Sequence, residues 1–277
     1  MALAASPFDL IVIDHAPDRV ESVELMFKRS EIQALKSKPD GSRRLVLAYL
    51  SIGEAERYRF YWDESWLEPG RRPSWLGADN PQWAGNYPVE FWNPEWQKLI
   101  YGASGSYVER VMEAGFDGVY LDRADVYQQF PARPQAEAEM AEFLARLADH
   151  VRRLKPDALV VMQNAEELLR RRHVRARLDA ISKESLYLNP EAAKPATADD
   201  TRQSISDLRL ARKDGRKVLV VEYTIDPMVA AAARRRAEAD GFLIHFAERT
   251  LSQLNLRGPD QQLTAGVPGT AALTPVR

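Results

Sequence analysis

The chain has 277 residues, 45% of them hydrophobic, enough to bury a full core as one α/β barrel or as two small domains. Its 38 basic and 40 acidic residues leave a net charge of −2, so no global field would hold it to nucleic acid or to an anionic membrane. It has no cysteine, which excludes disulfides, thiolate metal sites and a thiol nucleophile.

Met1 to Pro7 has neither a basic region nor an apolar stretch of signal length, and no later segment has the roughly 18–20 apolar residues that span a bilayer. From there short apolar, β-prone runs alternate with longer helical stretches. The runs are Phe8–Asp14, Leu45–Ser51, Val89–Trp92, Gly118–Asp122, Leu159–Gln163, Leu178–Ser182, Lys217–Glu222 and Phe242–Phe246. Between Gly53 and Gly85 the connection is too long for an ordinary βα loop and predicts a functional excursion. In Glu137–Leu154, apolar Met140, Phe143, Leu144, Leu147 and Val151 recur at the spacing of one helix face. The last stretch, Gly258 to Arg277, is rich in Gly, Pro, Thr and Ala without period and predicts a loose tail.

Runs such as Leu10-Ile11-Val12-Ile13 and Val218-Leu219-Val220-Val221 are apolar throughout, as expected of parallel strands covered on both faces. Eight βα units in one domain, residues 1–257, predict a (β/α)8 TIM barrel with a long Trp-rich loop after the second strand. An open doubly wound sheet is the alternative, although no Gly-x-Gly-x-x-Gly turn or Walker-type loop follows any run.

In a barrel the polar residues at the C-terminal strand ends converge on the active face. Here these are Asp14-His15, Ser51 with Glu54, Asp122 with Asp125, Gln163-Asn164, Lys183-Glu184, Glu222-Tyr223, and His245 with Glu248. Facing carboxylates suit glycoside hydrolysis, in which one donates a proton and the other acts as nucleophile or as base for water. Burial and mutual repulsion separate their pKa values. Each carboxylate taken singly also fits a helix cap or an ion pair. The six tryptophans, Trp62, Trp66, Trp75, Trp83, Trp92 and Trp96, cluster together with Tyr58, Phe60, Tyr61, Tyr87 and Phe91. Such rings stack on sugar faces or supply a private core for the excursion; both uses are expected. The four histidines, His15, His150, His173 and His245, show no ligand spacing, so neither metal nor cofactor is expected. A metal-dependent site at Asp14, His15 and His245 is the minor alternative. The cluster Arg170-Arg171-Arg172 with Arg175 and Arg177 reads as a solvated helix face.

Three strings sharpen this: Tyr49-Leu50-Ser51-Ile52-Gly53-Glu54-Ala55-Glu56, Gly115-Phe116-Asp117-Gly118-Val119-Tyr120-Leu121-Asp122, and Gln163-Asn164-Ala165-Glu166-Glu167-Leu168. Together they resemble the endo-α-1,4-polygalactosaminidase-like family, glycoside hydrolase family 114, from about Phe8 to Leu254. The resemblance implies a (β/α)8 barrel that cleaves α-1,4-linked galactosamine-containing polysaccharide. It also implies Asp122 as nucleophile and Glu184 as general acid/base. Asp14, Tyr49, Glu54, Trp92, Tyr120, Asn164, Glu222 and Tyr223 are then expected to line the sugar subsite. Family members are usually exported, so a secreted or envelope protein with its leader outside this sequence is expected, acting as a monomer on a polysaccharide. A barrel that binds carbohydrate without cleaving it is the alternative from another class.

Overall fold

The computed structural model describes residues 3–251 apart from 17, 21–22, 190–193, 225 and 250. The expected tail from Gly258 to Arg277 lies outside the described residues. Among the described residues, seven parallel strands form one sheet: β1 (Leu10–Ile13), β2 (Leu45–Ser51), β3 (Gly118–Asp122), β4 (Leu159–Gln163), β5 (Ala180–Glu184), β6 (Lys217–Tyr223) and β7 (Leu243–Ala247), hydrogen-bonded in that order. The sheet curls into a TIM-barrel-like wall. Phe8, just before β1, meets His245 of β7 edge-on with ring centroids 5.5 Å apart, so the two ends of the strand order come together.

Helices cover the outside. They are α1 (Arg29–Leu35), α2 (Pro94–Ile100), α3 (Tyr107–Ala114), α4 (Ala136–Leu154), α5 (Arg172–Arg175), α6 (Ala198–Lys213) and α7 (Pro227–Asp240). The periodic residues of α4, Met140, Phe143, Leu144, Leu147 and Val151, are all buried, as their spacing predicts. Local chemistry sets the helix ends: Asp226 caps α7 by accepting from Met228 N at 2.8 Å, with Pro227 in the first turn. Among the described residues, no helix is long and apolar enough to cross a membrane.

Strand alternation divides the core in two. One set of side chains, Leu47, Tyr120, Leu159, Val161 and Ala180 with Leu10, Val12, Tyr49 and Leu219, fills the barrel interior. The other, including Val46, Leu50, Val119, Leu121, Val160, Met162, Ile181, Val218 and Val220, packs outward under the helices. At the N-terminal ends of the strands, buried acids join neighbours: Asp117 accepts from Val46 N at 3.0 Å and pairs with Lys36 at 2.8 Å, and Asp179 accepts from Val160 N at 2.8 Å and pairs with Arg152 at 2.8 Å. These acids serve stability, at the face opposite the mouth.

One expected strand is absent from the sheet. Val89 makes only an isolated antiparallel bridge to Leu76, and Phe91 and Trp92 lie in a turn before α2; β2 therefore pairs directly with β3. The local sequence explains this. Asn93-Pro94 starts a helix, Asn93 Oδ1 accepting from Glu95 N at 2.9 Å, and the apolar Val89 and Phe91 are used in the core of the excursion. A two-stranded antiparallel ribbon, Glu54–Glu56 with Asn86–Pro88, closes that excursion.

Glu222 departs from expectation for a related reason. It lies on the outward parity of β6 with Val218 and Val220, is fully buried, and accepts from Tyr187 N at 2.6 Å. It is therefore not at the mouth. Burial pushes its carboxyl up to about 7, against the opposing pull of the backbone N–H groups of Tyr187, Leu186 and Leu188.

Two outcomes follow. At Gly118 an added Cβ would meet the backbone of Leu159, its oxygen at 2.0 Å and its nitrogen at 2.6 Å. Gly118→Ala is expected to cost about 1–3 kcal/mol in urea unfolding, because two paired strands must separate to admit a methyl. For Glu222 the folded value lies above the ordinary 4.5. Its contribution to stability is thus complete below about pH 4.5 and is lost as pH rises through about 7. Unfolding measured from pH 4 to 8 should show this loss, on the order of 2–3 kcal/mol from Glu222, and the profile of Glu222→Gln should be flatter by that share.

Candidate active site

Asp122 is the last residue of β3 and stands in register with Ser51 of β2. Two residues back along β2, on the same inward parity, the Tyr49 phenol donates to Asp122 Oδ2 at 2.6 Å. Burial pushes the Asp122 carboxyl up to about 7; the Tyr49 hydrogen bond, the Arg123 N–H and the Arg123 charge oppose the rise, and the Glu184 charge adds to it. Asp122 is only half-buried, so it is open to the mouth.

Glu184 ends β5, in register with Val221 of β6. Its Oε2 accepts from Asn164 Nδ2 at 3.0 Å, its Oε1 accepts from the Tyr223 phenol, and its backbone N donates to Asn164 Oδ1 at 3.2 Å. Tyr120, two residues before Asp122, lies within electrostatic reach of both acids. Its phenol is pushed up by burial, and by the charges of Glu184 and Asp122. Each carboxylate is thus oriented by a tyrosine from a neighbouring strand, with a third tyrosine below them.

The backbone at these strand ends is strained. Arg123 (φ 60°), Asn164 (φ 57°), Ala165 (φ 53°) and Ser185 (φ 51°) directly follow β3, β4 and β5 and adopt the left-handed region. Such conformations cost free energy and persist where the surrounding structure enforces them, commonly at functional sites.

Of the expected sugar-site residues, Tyr49, Tyr120, Asn164 and Tyr223 therefore join the two acids. Asp14, exposed at the end of β1, is linked to them through Arg59. Its Oδ1 accepts from Arg59 Nη2 at 2.6 Å, and the Arg59 guanidinium lies 5.9 Å from the Tyr49 ring centroid. Buried Glu56 completes this group, accepting from Arg59 Nε at 2.5 Å and from the Tyr58 phenol at 2.6 Å. Glu54 is 2% exposed and is occupied by Arg123 and Asn80 rather than facing the opening. Trp92 is held by Phe91 and Phe130, with the Arg133 guanidinium 4.1 Å from its ring centroid. Glu222, as described, faces the helices.

The rings of the excursion mostly build a core. Trp62, Trp66, Trp75 and Trp96 follow one another at centroid distances of 5.0, 5.2 and 5.3 Å, and Trp96 Nε1 donates to Ile52 O at 2.9 Å. Only Trp83, at 50%, is an exposed tryptophan. His15 is buried against Phe60 and Tyr107, whereas His245 packs against Phe8. Among the described residues, no group of three or more His, Asp or Glu is arranged to hold a metal ion.

Sequence reasoning missed Glu56, Arg59, Asn80 and Arg123. A signal existed for the first two: an arginine inside the aromatic run Tyr58-Arg59-Phe60-Tyr61-Trp62 calls for a partner where it is buried, and Glu56 lies three residues before it.

A model of the glycoside-hydrolase family GH114 matches residues 2–262. An uncharacterized protein of Deinococcus radiodurans is 35% identical over 258 residues, which span 93% of this chain and 79% of that protein. The uncharacterized protein MJ1477 of Methanocaldococcus jannaschii is 34% identical over 270 residues, or 91% of this chain and 74% of that one. The glycoside hydrolase domain of PelA from Pseudomonas aeruginosa superposes with a TM-score of 0.66 at 20% identity, covering 90% of each chain. Aspergillus fumigatus Ega3, solved in complex with galactosamine, superposes with a TM-score of 0.59 at 16% identity, covering 90% of this chain and 93% of that one. These two structures share the fold. The match along almost the whole sequence goes further: the chain belongs to glycoside hydrolase family GH114.

Proposed function

We propose that this protein is an endo-acting glycoside hydrolase that cleaves α-1,4-linked galactosamine-containing polysaccharide, with Asp122 and Glu184 as its reacting carboxylates. The observation that carries the reading is the pairing itself: two half-buried acids at the ends of β3 and β5, on either side of β4, each hydrogen-bonded to a tyrosine, with the Glu184 charge helping to raise Asp122. In glycoside hydrolysis one acid protonates the departing oxygen, while the other attacks the anomeric carbon or activates water. Membership of GH114 supports carbohydrate as the substrate, and the galactosamine bound to Ega3 supports the choice of sugar.

In this mechanism Asp122 is the nucleophile and Glu184 the acid/base. Asp122 must then be ionised, although burial pushes its carboxyl up to about 7. A galactosamine ammonium beside it favours the carboxylate, so a cationic sugar completes the ionisation that the fold opposes. The Asp14–Arg59–Glu56 group beside Tyr49 holds one acid more than base, which suits a cationic polymer. A polymer too large to enter a cell also requires an exported enzyme. A single barrel with both acids on one chain acts as a monomer.

Release of soluble oligosaccharide from deacetylated galactosamine polymer is the direct test. Asp122→Asn and Glu184→Gln are each expected to lower it by a factor of about 10²–10⁴. Polymer binding without any release by the wild-type protein would instead establish a carbohydrate-binding barrel. The pH profile separates the two roles. With Asp122 as nucleophile, kcat/KM rises as pH climbs toward about 7, because the free protein must lose that proton; the acid limb of kcat lies lower, where bound ammonium assists. A kcat/KM that falls as pH rises through 7 would exchange the roles. Added salt should lower kcat/KM on the cationic polymer by screening its approach.

A further inference from the structure

Arg123 follows Asp122 directly, with φ 60° and ψ 28°, a left-handed backbone that a long side chain enters only at a cost. In that conformation its N–H and its charge both favour the ionised Asp122 carboxylate. Its carbonyl presses on Gly53, where an added Cβ would lie 2.2 Å from Arg123 O. The guanidinium turns the other way: Nη2 is 3.0 Å from Glu54 Oε1, and Nη1 is 3.5 Å from Asp125 Oδ1.

Glu54 is built into this corner. It is 2% exposed, the same Oε1 accepts from Asn80 Nδ2 at 2.9 Å, and its backbone N donates to Ser51 Oγ at 3.2 Å, Ser51 being the residue in register with Asp122. Asn80 belongs to a turn closed by Asn80 N donating to Asn86 O at 2.7 Å and by Asn86 N donating to Trp83 O at 3.0 Å. That turn carries the exposed Trp83. One buried carboxylate oxygen thus joins the peptide that follows Asp122 to the loop that bears an exposed aromatic ring.

We propose that Glu54 is a positioning residue for Asp122: its ion pair with Arg123 holds the left-handed peptide that directly follows Asp122, and with it the place of the Asp122 carboxylate at the end of β3. The inference rests on the reading of Asp122 as a reacting group. Glu54 acts through Arg123 and does not touch the sugar. The other groups that face Asp122 are Tyr49 from β2, Tyr120 from its own strand, Glu184 from β5 and Tyr223 from β6. None of these restrains the Arg123 backbone.

The test follows the Asp122 carboxyl carbon by NMR titration of the intact protein, alongside kcat and KM on deacetylated galactosamine polymer. In Glu54→Ala the released peptide turns its N–H away, so Asp122 should titrate at higher pH than in the wild type. Its kcat should fall roughly tenfold to a hundredfold, with KM changed by less than about threefold. Glu54→Gln keeps an acceptor for Arg123 and should retain kcat within about threefold of the wild type. Arg123→Gly enters the left-handed region freely and should retain most of the kcat that Arg123→Ala loses. An Asp122 titration in Glu54→Ala matching that of the wild type would overturn the proposal. So would a raised KM with kcat intact, which would make Glu54 a sugar ligand. If Glu54→Ala does not fold, equal losses in Arg123→Gly and Arg123→Ala would overturn it instead. A wild-type protein that releases no oligosaccharide, but whose Asp122 titration still moves in Glu54→Ala, would sink the hydrolase reading and leave the positioning role standing.

Discussion

In a curled parallel sheet adjacent residues of one strand point to opposite sides, and the register between strands decides which of them meet across the mouth. Everything at this site descends from that constraint. Ser51 stands opposite Asp122, so Tyr49, two residues back on the inward face, reaches the Asp122 carboxylate. Val221 stands opposite Glu184, so Tyr223, two residues on, reaches the Glu184 carboxylate. A slip of one residue in either pairing would replace each tyrosine by an outward-facing neighbour. Glu222 illustrates the point: it touches Tyr223 in sequence yet lies in the outer core, fastened to the backbone after β5.

The acids are held in place by structure that carries no chemistry of its own. The aromatic excursion packs as a small core whose Trp96 donates to Ile52 O, while Ile52 N donates to Asp122 O at 2.9 Å, so the ends of β2 and β3 share one anchored corner. The Asp14–Arg59–Glu56 group sits beside Tyr49 and keeps buried charge paired. Left-handed residues follow three successive strands, β3, β4 and β5, at the level of the two carboxylates. The cost of that strain and of burying Asp122 is met by the two hydrophobic cores, which separates the residues that stabilise the barrel from those that open onto its mouth.

Much of this was legible in the residues alone. The apolar runs located the seven strands of the sheet to within a few residues, the spacing in Glu137–Leu154 located α4 and its buried face, and the polar strand ends located Asp122 and Glu184. Val89–Trp92 misled because apolar alternation marks burial and not sheet membership: Val89 and Phe91 are buried in the core beside the excursion, with a single bridge to Leu76, instead of between strands of the sheet. Trp92, Glu54 and Glu222 were expected at the sugar site from their places at strand ends and in the aromatic cluster, whereas in space Arg133, Arg123 and the backbone after β5 occupy them.

Composition, periodicity and strand-end chemistry thus determined an α/β barrel with acids at one face, because those properties depend on neighbours within one or two turns of chain. Which acids meet was decided in three dimensions. Asp122 and Glu184 are 62 positions apart, and Arg59 reaches Asp14 across 45. Contacts at such separations depend on register, curl and the packing of a loop with no repeating pattern, and no local run of residues encodes them.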